Sequence, residues 1–245
     1  MERENCILIS NGKNWIEQAA IDQLHGVANL PGVVKTVGLP DLHPGKTPVG
    51  MAVLSRERFY PHLIGNDIGC GMSLFSTGVK QKKFRMDKWE SRLNQVRELS
   101  DIPCDNPYEE VCPIRDLGTI GTGNHFAEFQ CLEHVYREEE ANRLGLLHGC
   151  LMLLIHSGSR GYGQEILNRY YSPEGLAEGS KEAEDYLKEH DSAILWAGRN
   201  RIVTAKKLLA WLGVEREVTP LLESCHNYLE RTEDSWLHRK GSVST

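Results

Sequence analysis

The stretch LIGNDIGCGMSLF, from Leu63 to Phe75, is apolar at both ends and holds three glycines, an aspartate and a cysteine in its middle. Apolar flanks seek burial, so the centre has to turn sharply between two buried segments. Glycine tolerates the backbone angles that such a turn needs. Asp67 and Cys70 stand three residues apart inside it. A cysteine alone is usually a small core hydrophobe. A carboxylate and a thiol on so permissive a backbone can also converge on one cation, and Gly65, Gly69 and Gly71 allow it.

Other breaks in the chain carry the same kind of side chain. GTIGTGNHF sets Asn124 and His125 after three glycines, and LMLLIHSGSRGYG places His156 at the end of an apolar run, before a Ser/Gly loop with Arg160. ESCHNYLE offers Cys225, His226 and Asn227; LPDLHPGK offers Asp41 and His43. Polar side chains on loops at the ends of rigid elements describe a site. Thiolate, imidazole and carboxylate together are ligands for first-row metals, and zinc, manganese, iron or cobalt would all fit. GTGN and HSGSRG also present backbone N–H groups suited to phosphate, and Arg160 adds a forked donor. Neither loop has the spacing of a Walker A or dinucleotide-binding motif. The residues alone therefore point to a metal-dependent enzyme acting on a phosphate-bearing substrate.

The 245 residues are 40% hydrophobic and 25% charged, with net charge -6, so a core can form and no global basic field advertises nucleic acid. Local basic clusters are Lys80, Lys82, Lys83 and Arg85; Arg199, Arg201, Lys206 and Lys207; and Arg239 with Lys240. Each reads first as a solvated face and second as an RNA contact. The seven cysteines include no C-x-x-C pair, the N-terminus lacks a signal-like segment, and no apolar run reaches membrane-spanning length. A soluble, cytoplasmic protein with free thiols is expected.

Periodicity predicts short strands at CILIS, GVVKTVGL, GMAVLS, CGMSLFSTGV, FAEFQCLEHV and GCLMLLIHS, with a Pro/Gly loop between the second and third. It predicts helices over NWIEQAAIDQLHGVANL, with Asn14 as cap, over MDKWESRLNQVREL, and over roughly 161–171 and 180–212. The segment SDIPCDNPYEEVCPIRDLGTIGTGN reads as irregular and the tail RTEDSWLHRKGSVST has no clear period. The expected class is α+β, a single mixed domain over 1–245, in which 173–215 is a possible helical insertion.

LPDLHPGK, GNDIGCGM, GTGNHFAE, HSGSRG, CHN and HRKG, in this order, resemble the RtcB family of RNA-splicing ligases. The form GNDIGCGM resembles most the branch coupled to peptide release factor H. The resemblance implies a ligase that uses GTP and two Mn²⁺ ions to join an RNA 3′-phosphate or 2′,3′-cyclic phosphate to a 5′-hydroxyl. It implies that Asp67, Cys70 and His125 hold one ion and Cys70, His156 and His226 the other, with Cys70 bridging. Asn124, His125, Phe126, Ala127 and Glu128, with His226 and Asn227, would form part of the nucleotide site, and Arg160 would meet the RNA phosphate. The family's guanylylated histidine belongs to a segment after HRKG, where this sequence has only SVST. His238 is not that residue. The expectation is an RtcB-like domain lacking its C-terminal portion, impaired in guanylylation. The alternatives are an inactive metal-binding remnant or regulatory module, and a GTP-independent cyclic phosphate hydrolase.

Overall fold

The computed structural model describes residues 5–11, 13–103, 117–214 and 217–244. The strands are β1 (Cys6–Leu8), β2 (Val33–His43), β3 (Val49–Ser55), β4 (Arg58–Phe59), β5 (Gly71–Lys80), β6 (Phe126–Cys131), β7 (Cys150–Ser157), β8 (Leu176–Ala177), β9 (Pro220–Cys225), β10 (Asn227–Arg231) and β11 (Trp236–Lys240). The helices are α1 (Gln18–Val27), α2 (Pro61–Ile64), α3 (Met86–Leu93), α4 (Glu138–Arg143), α5 (Gly161–Tyr170) and α6 (Lys181–Trp211). The class is α+β, and the chain divides into two compact units.

One unit takes in residues 1–70, 159–194 and 225–245. Its main sheet has the order β1-β2-β3-β11-β10, parallel only between β1 and β2. Helix α1 buries Ala20, Leu24 and Val27, the i, i+4, i+7 stripe of an amphipathic helix, against Leu42, Met51, Val53, Tyr60 and Leu63. A second cluster gathers Phe59, Ile64, Ile68, Ile166, Tyr186 and Trp236. Three expectations are corrected here. Asn14 does not cap α1; its amide donates to Pro40 O at 3.1 Å, and Glu17 precedes the helix without a side-chain cap. Strand β2 runs on through Pro40 to His43, where a loop is expected, because a register shift between Gly38 and His43 accommodates the proline. The tail does hold a strand, β11.

The other unit takes in residues 71–158 and 195–224. Its sheet has the order β6-β7-β5-β9, with β7 antiparallel to both β6 and β5. Phe75, Leu153 and Ile155 pack on Ala205, Leu208 and Leu209 of α6. Helix α3 ends at Leu93 rather than near 99. Trp89 is its one buried residue, so no further apolar contact holds later turns in helical form. The basic cluster on α6 is not a surface patch: Arg201 and Lys207 are buried. Arg201 lies against the sheet, donating to Ser73 Oγ at 2.8 Å, Ser157 O at 2.8 Å and Glu223 at 2.7 Å. Most of the irregular segment, 104–116 with Cys104 and Cys112, lies outside the described residues; five other cysteines are free thiols.

Candidate metal centre

The turn that opens the sequence analysis has a simple construction. Helix α2 starts on Pro61 and stops at Gly65, whose φ of 85° belongs to the left-handed region. Ile68 drops into the core, and Gly69, at φ 76°, reverses the chain before β5. The Cys70 N–H closes an i to i+3 turn on Asp67 O at 3.1 Å, which brings the carboxylate and the thiol together.

Register does the rest. In the four-stranded sheet Met72 and Phe126 both pair with His156, and Gly71 pairs with Ser157. Cys70 immediately precedes β5, His125 immediately precedes β6, His156 lies one residue from the end of β7, and His226 immediately follows β9. All four therefore collect at one end of the sheet, and the His226 N–H donates to Cys70 O at 2.8 Å. Two groups of donors result. Asp67, Cys70 and His125 each offer an atom, all within 4.8 Å of one another, and Cys70, His156 and His226 do the same. Cys70 belongs to both groups and is 3% exposed. One sulfur, three imidazoles and a carboxylate are a donor set that fits divalent first-row cations.

Supporting contacts fix the donors. His156 Nδ1 lies 3.0 Å from Asn124 O; as the donor there, it makes Nε2 the ring's acceptor nitrogen, the one a cation would use. The rings of His125 and Phe126 stand edge-on to His156, at centroid distances of 5.2 and 5.4 Å. Asn227 holds the metal loop: it donates to Asp67 O at 3.3 Å, accepts from Gly241 N at 2.9 Å, and its carbonyl accepts from Gly69 N at 2.8 Å.

Arg160 has φ 59° and ψ -141°, a conformation that costs an arginine strain, and its backbone N–H points to Asp67 Oδ1 at 3.4 Å. Gly163, two residues into α5, has no room for a side chain: a Cβ there would lie 2.3 Å from both Asn66 O and Ser159 Oγ. The loop thus rests directly on the helix backbone.

The remaining nucleotide-site candidates sit around this end of the sheet. Asn124 is exposed, Phe126, Ala127 and Glu128 lie on β6, and the Glu128 carboxylate accepts from Gln130 at 2.6 Å. Asp41 and His43 are in neither donor group; His43 Nδ1 instead meets Asp41 O at 2.8 Å. His238 is an interior residue. Its Nε2 accepts from Tyr60 N at 2.9 Å, its Nδ1 lies 3.1 Å from Val53 O, and burial pushes its pKa down to about 4.

Three contributors escaped the sequence reading. Lys240 reads there as part of a surface cluster, yet its Nζ turns inward to donate to Ile64 O at 2.8 Å. Burial lowers its pKa, opposed by the charges of Asp67 and Cys70. Asn200 accepts from Gly118 N at 2.8 Å and Thr119 N at 3.0 Å, tying the loop that leads to Asn124 and His125 onto α6. Arg201 braces β5, β7 and β9, which end at the donors. Buried polar residues at adjacent helical positions, amid Ala197, Val203 and Thr204, are the signal that could have found the last two.

The sequence is also similar to known proteins. A family profile described as tRNA-splicing ligase RtcB matches residues 23–112 and 108–245. RNA-splicing ligase RtcB2 of Escherichia coli (strain ATCC 25922) is 42% identical over 251 residues, covering 96% of this chain. RNA-splicing ligase RtcB of Escherichia coli (strain K12) is 27% identical over 94% of this chain. The tRNA-splicing ligase RtcB of Nanoarchaeum equitans is 27% identical over 76%. The chain spans 65%, 69% and 54% of the lengths of these three relatives. With the profile matching nearly the whole sequence and the donors gathered at one sheet end, the chain belongs to the RtcB family.

Proposed function

We propose that this chain carries the two-metal centre of a GTP- and Mn²⁺-dependent RNA ligase. Its reaction joins an RNA 3′-phosphate or 2′,3′-cyclic phosphate end to a 5′-hydroxyl end. The observation that supports this reading is the sharing of one sulfur by two three-donor groups. Asp67, Cys70 and His125 would hold one ion, and Cys70, His156 and His226 the other. Such a pair would supply positive charge to offset that of a triphosphate. The protein's own groups bind and orient. Asn124 and the backbone through Phe126, Ala127 and Glu128 receive the guanine nucleotide, with His226 and Asn227 at its edge. Arg160, held in its strained conformation at the head of α5, presents its fork to the RNA phosphate. The Asn124 carbonyl holds His156 in one tautomer, so a change at this residue reaches nucleotide and metal sides through different atoms. The resemblance of the GNDIGCGM form to the branch coupled to release factor H supports a role in the cytoplasm on broken RNA of the translation machinery.

Electron paramagnetic resonance of the Mn²⁺-loaded protein tests the shared sulfur. A spin-coupled pair is expected in the wild type, and neither ion should survive dialysis in Cys70→Ala. Loss of a single ion in that variant, or two uncoupled ions in the wild type, overturns the bridging role. In the same samples Asn124→Ala should weaken GTP binding while the side-chain donors still hold metal; unchanged GTP affinity removes Asn124 from the nucleotide site.

A further inference from the structure

A cavity of about 550 Å³ is lined in part by Lys46, His62, Gly65, Asn66, Tyr171 and Lys240. Its size is that of a small-molecule site. Asn66 is the residue before Asp67, so whatever fills the cavity lies next to the loop that carries two of the metal donors.

The wall is aromatic. Tyr171 is 61% exposed, an unusual position for a large ring, and stands 5.6 Å from the His62 ring. His62 is pinned on its other side by Tyr60, edge-on at 5.5 Å. The His62 ring itself is half-buried, and a backbone hydrogen bond at Ser172 helps to hold it in place. The other side is cationic. Lys46 is exposed at the rim, and Lys240 Nζ reaches the floor beside Gly65, where a Cβ would sit 2.5 Å from it. The positive φ of Gly65 and the missing side chain together let the lysine come this close.

An exposed aromatic ring and two ammonium groups lining one cavity can recognise a base and a phosphate together. We propose that this cavity is a nucleotide subsite. One base lies against Tyr171 beside His62, and its phosphate meets Lys46 and Lys240. The inference rests on the RNA-ligase reading and deepens it, placing one nucleotide of the strand against the metal loop. The same chemistry would also take a free guanine nucleotide, and the experiment separates the two.

Binding of a short fluorescent single-stranded RNA is measured by anisotropy with Mn²⁺ present, alongside the Mn²⁺ content of each protein. Tyr171→Ala should weaken binding by about tenfold, and Tyr171→Phe should retain it, because stacking needs the ring and not the hydroxyl. Lys46→Gln should weaken binding and flatten its salt dependence by about one counterion. Mn²⁺ content should not change in any of the three. If GTP displaces the RNA and Tyr171→Ala weakens GTP to the same degree, the occupant is the free nucleotide and the subsite stands. Absence of RNA and GTP binding by the wild type, equal affinity in wild type and Tyr171→Ala, or equal loss in Tyr171→Phe overturns the proposal. A wild type without Mn²⁺ that still shows the Tyr171 dependence overturns the two-metal reading and leaves the subsite in place.

Discussion

Acidification probes the interior of β11. His238 is 1% exposed, both of its ring nitrogens meet backbone groups, and burial holds its pKa near 4 against an ordinary value of 6.5. The folded state therefore binds the proton less readily than the unfolded chain. The stability that follows is fully present above about pH 6.5 and drains away as the pH falls towards 4. Between about pH 7.5 and about pH 5 the loss through this one imidazole is about 2 kcal/mol. Urea unfolding of wild type and His238→Gln at both pH values measures it. The variant is expected to be less stable at the higher pH, because the Tyr60 N–H and the Val53 carbonyl lose a well-placed partner. Its further loss on acidification should be smaller than the wild type's by about 2 kcal/mol. Equal losses in the two proteins would refute the reasoning, since His238 would then titrate as a solvated side chain. The measurement bears on function too, because a ring committed on both sides to backbone is not available as a nucleophile. Any covalent nucleotide adduct should map elsewhere.

Three further perturbations test the supports of the metal loop. Arg160→Gly should unfold at higher denaturant than Arg160→Ala, by about 1–3 kcal/mol, because both lose the side chain and only glycine relieves the backbone; equal stabilities in chemical denaturation would remove the strain argument. Gly163→Ala should lower Mn²⁺ affinity in a metal titration, because its methyl group would overlap Asn66 O and push the loop bearing Asp67 and Cys70; unchanged affinity would show that the helix yields instead. Arg201→Ala should destabilise the fold by about 3 kcal/mol in urea unfolding, having removed a buried charge with three partners; a loss below about 1 kcal/mol would mean that water replaces the guanidinium without penalty.

The donor residues were legible in the sequence for a physical reason. Each sits where an apolar run breaks into glycine or asparagine, and such breaks are visible without coordinates. The β5 and β7 strands, with α1, α5 and α6, were visible for the same reason, because their buried residues are apolar and evenly spaced. The tail was not legible. The inward positions of β11 are Trp236 and His238, and a histidine satisfied by two backbone groups looks polar in a hydropathy pattern. Pro40 hid the end of β2 in the same way, since only the register shift shows how the strand accommodates it. Lys240, Asn200 and Arg201 escaped because a cation or amide carries no mark of which way it turns. Their inward partners, Ile64 O, Gly118 N and Ser73 Oγ, are far away along the chain.

The ligand-bearing positions run from residue 67 to residue 226, and β5, β6, β7 and β9 must all pair before the sulfur has its imidazoles. Tight capture of an ion by these donors would consequently be a late event in the life of a newly made chain, after the slow, long-range pairings have formed. A half-folded molecule would let such an ion go, and a completed one would be locked by it.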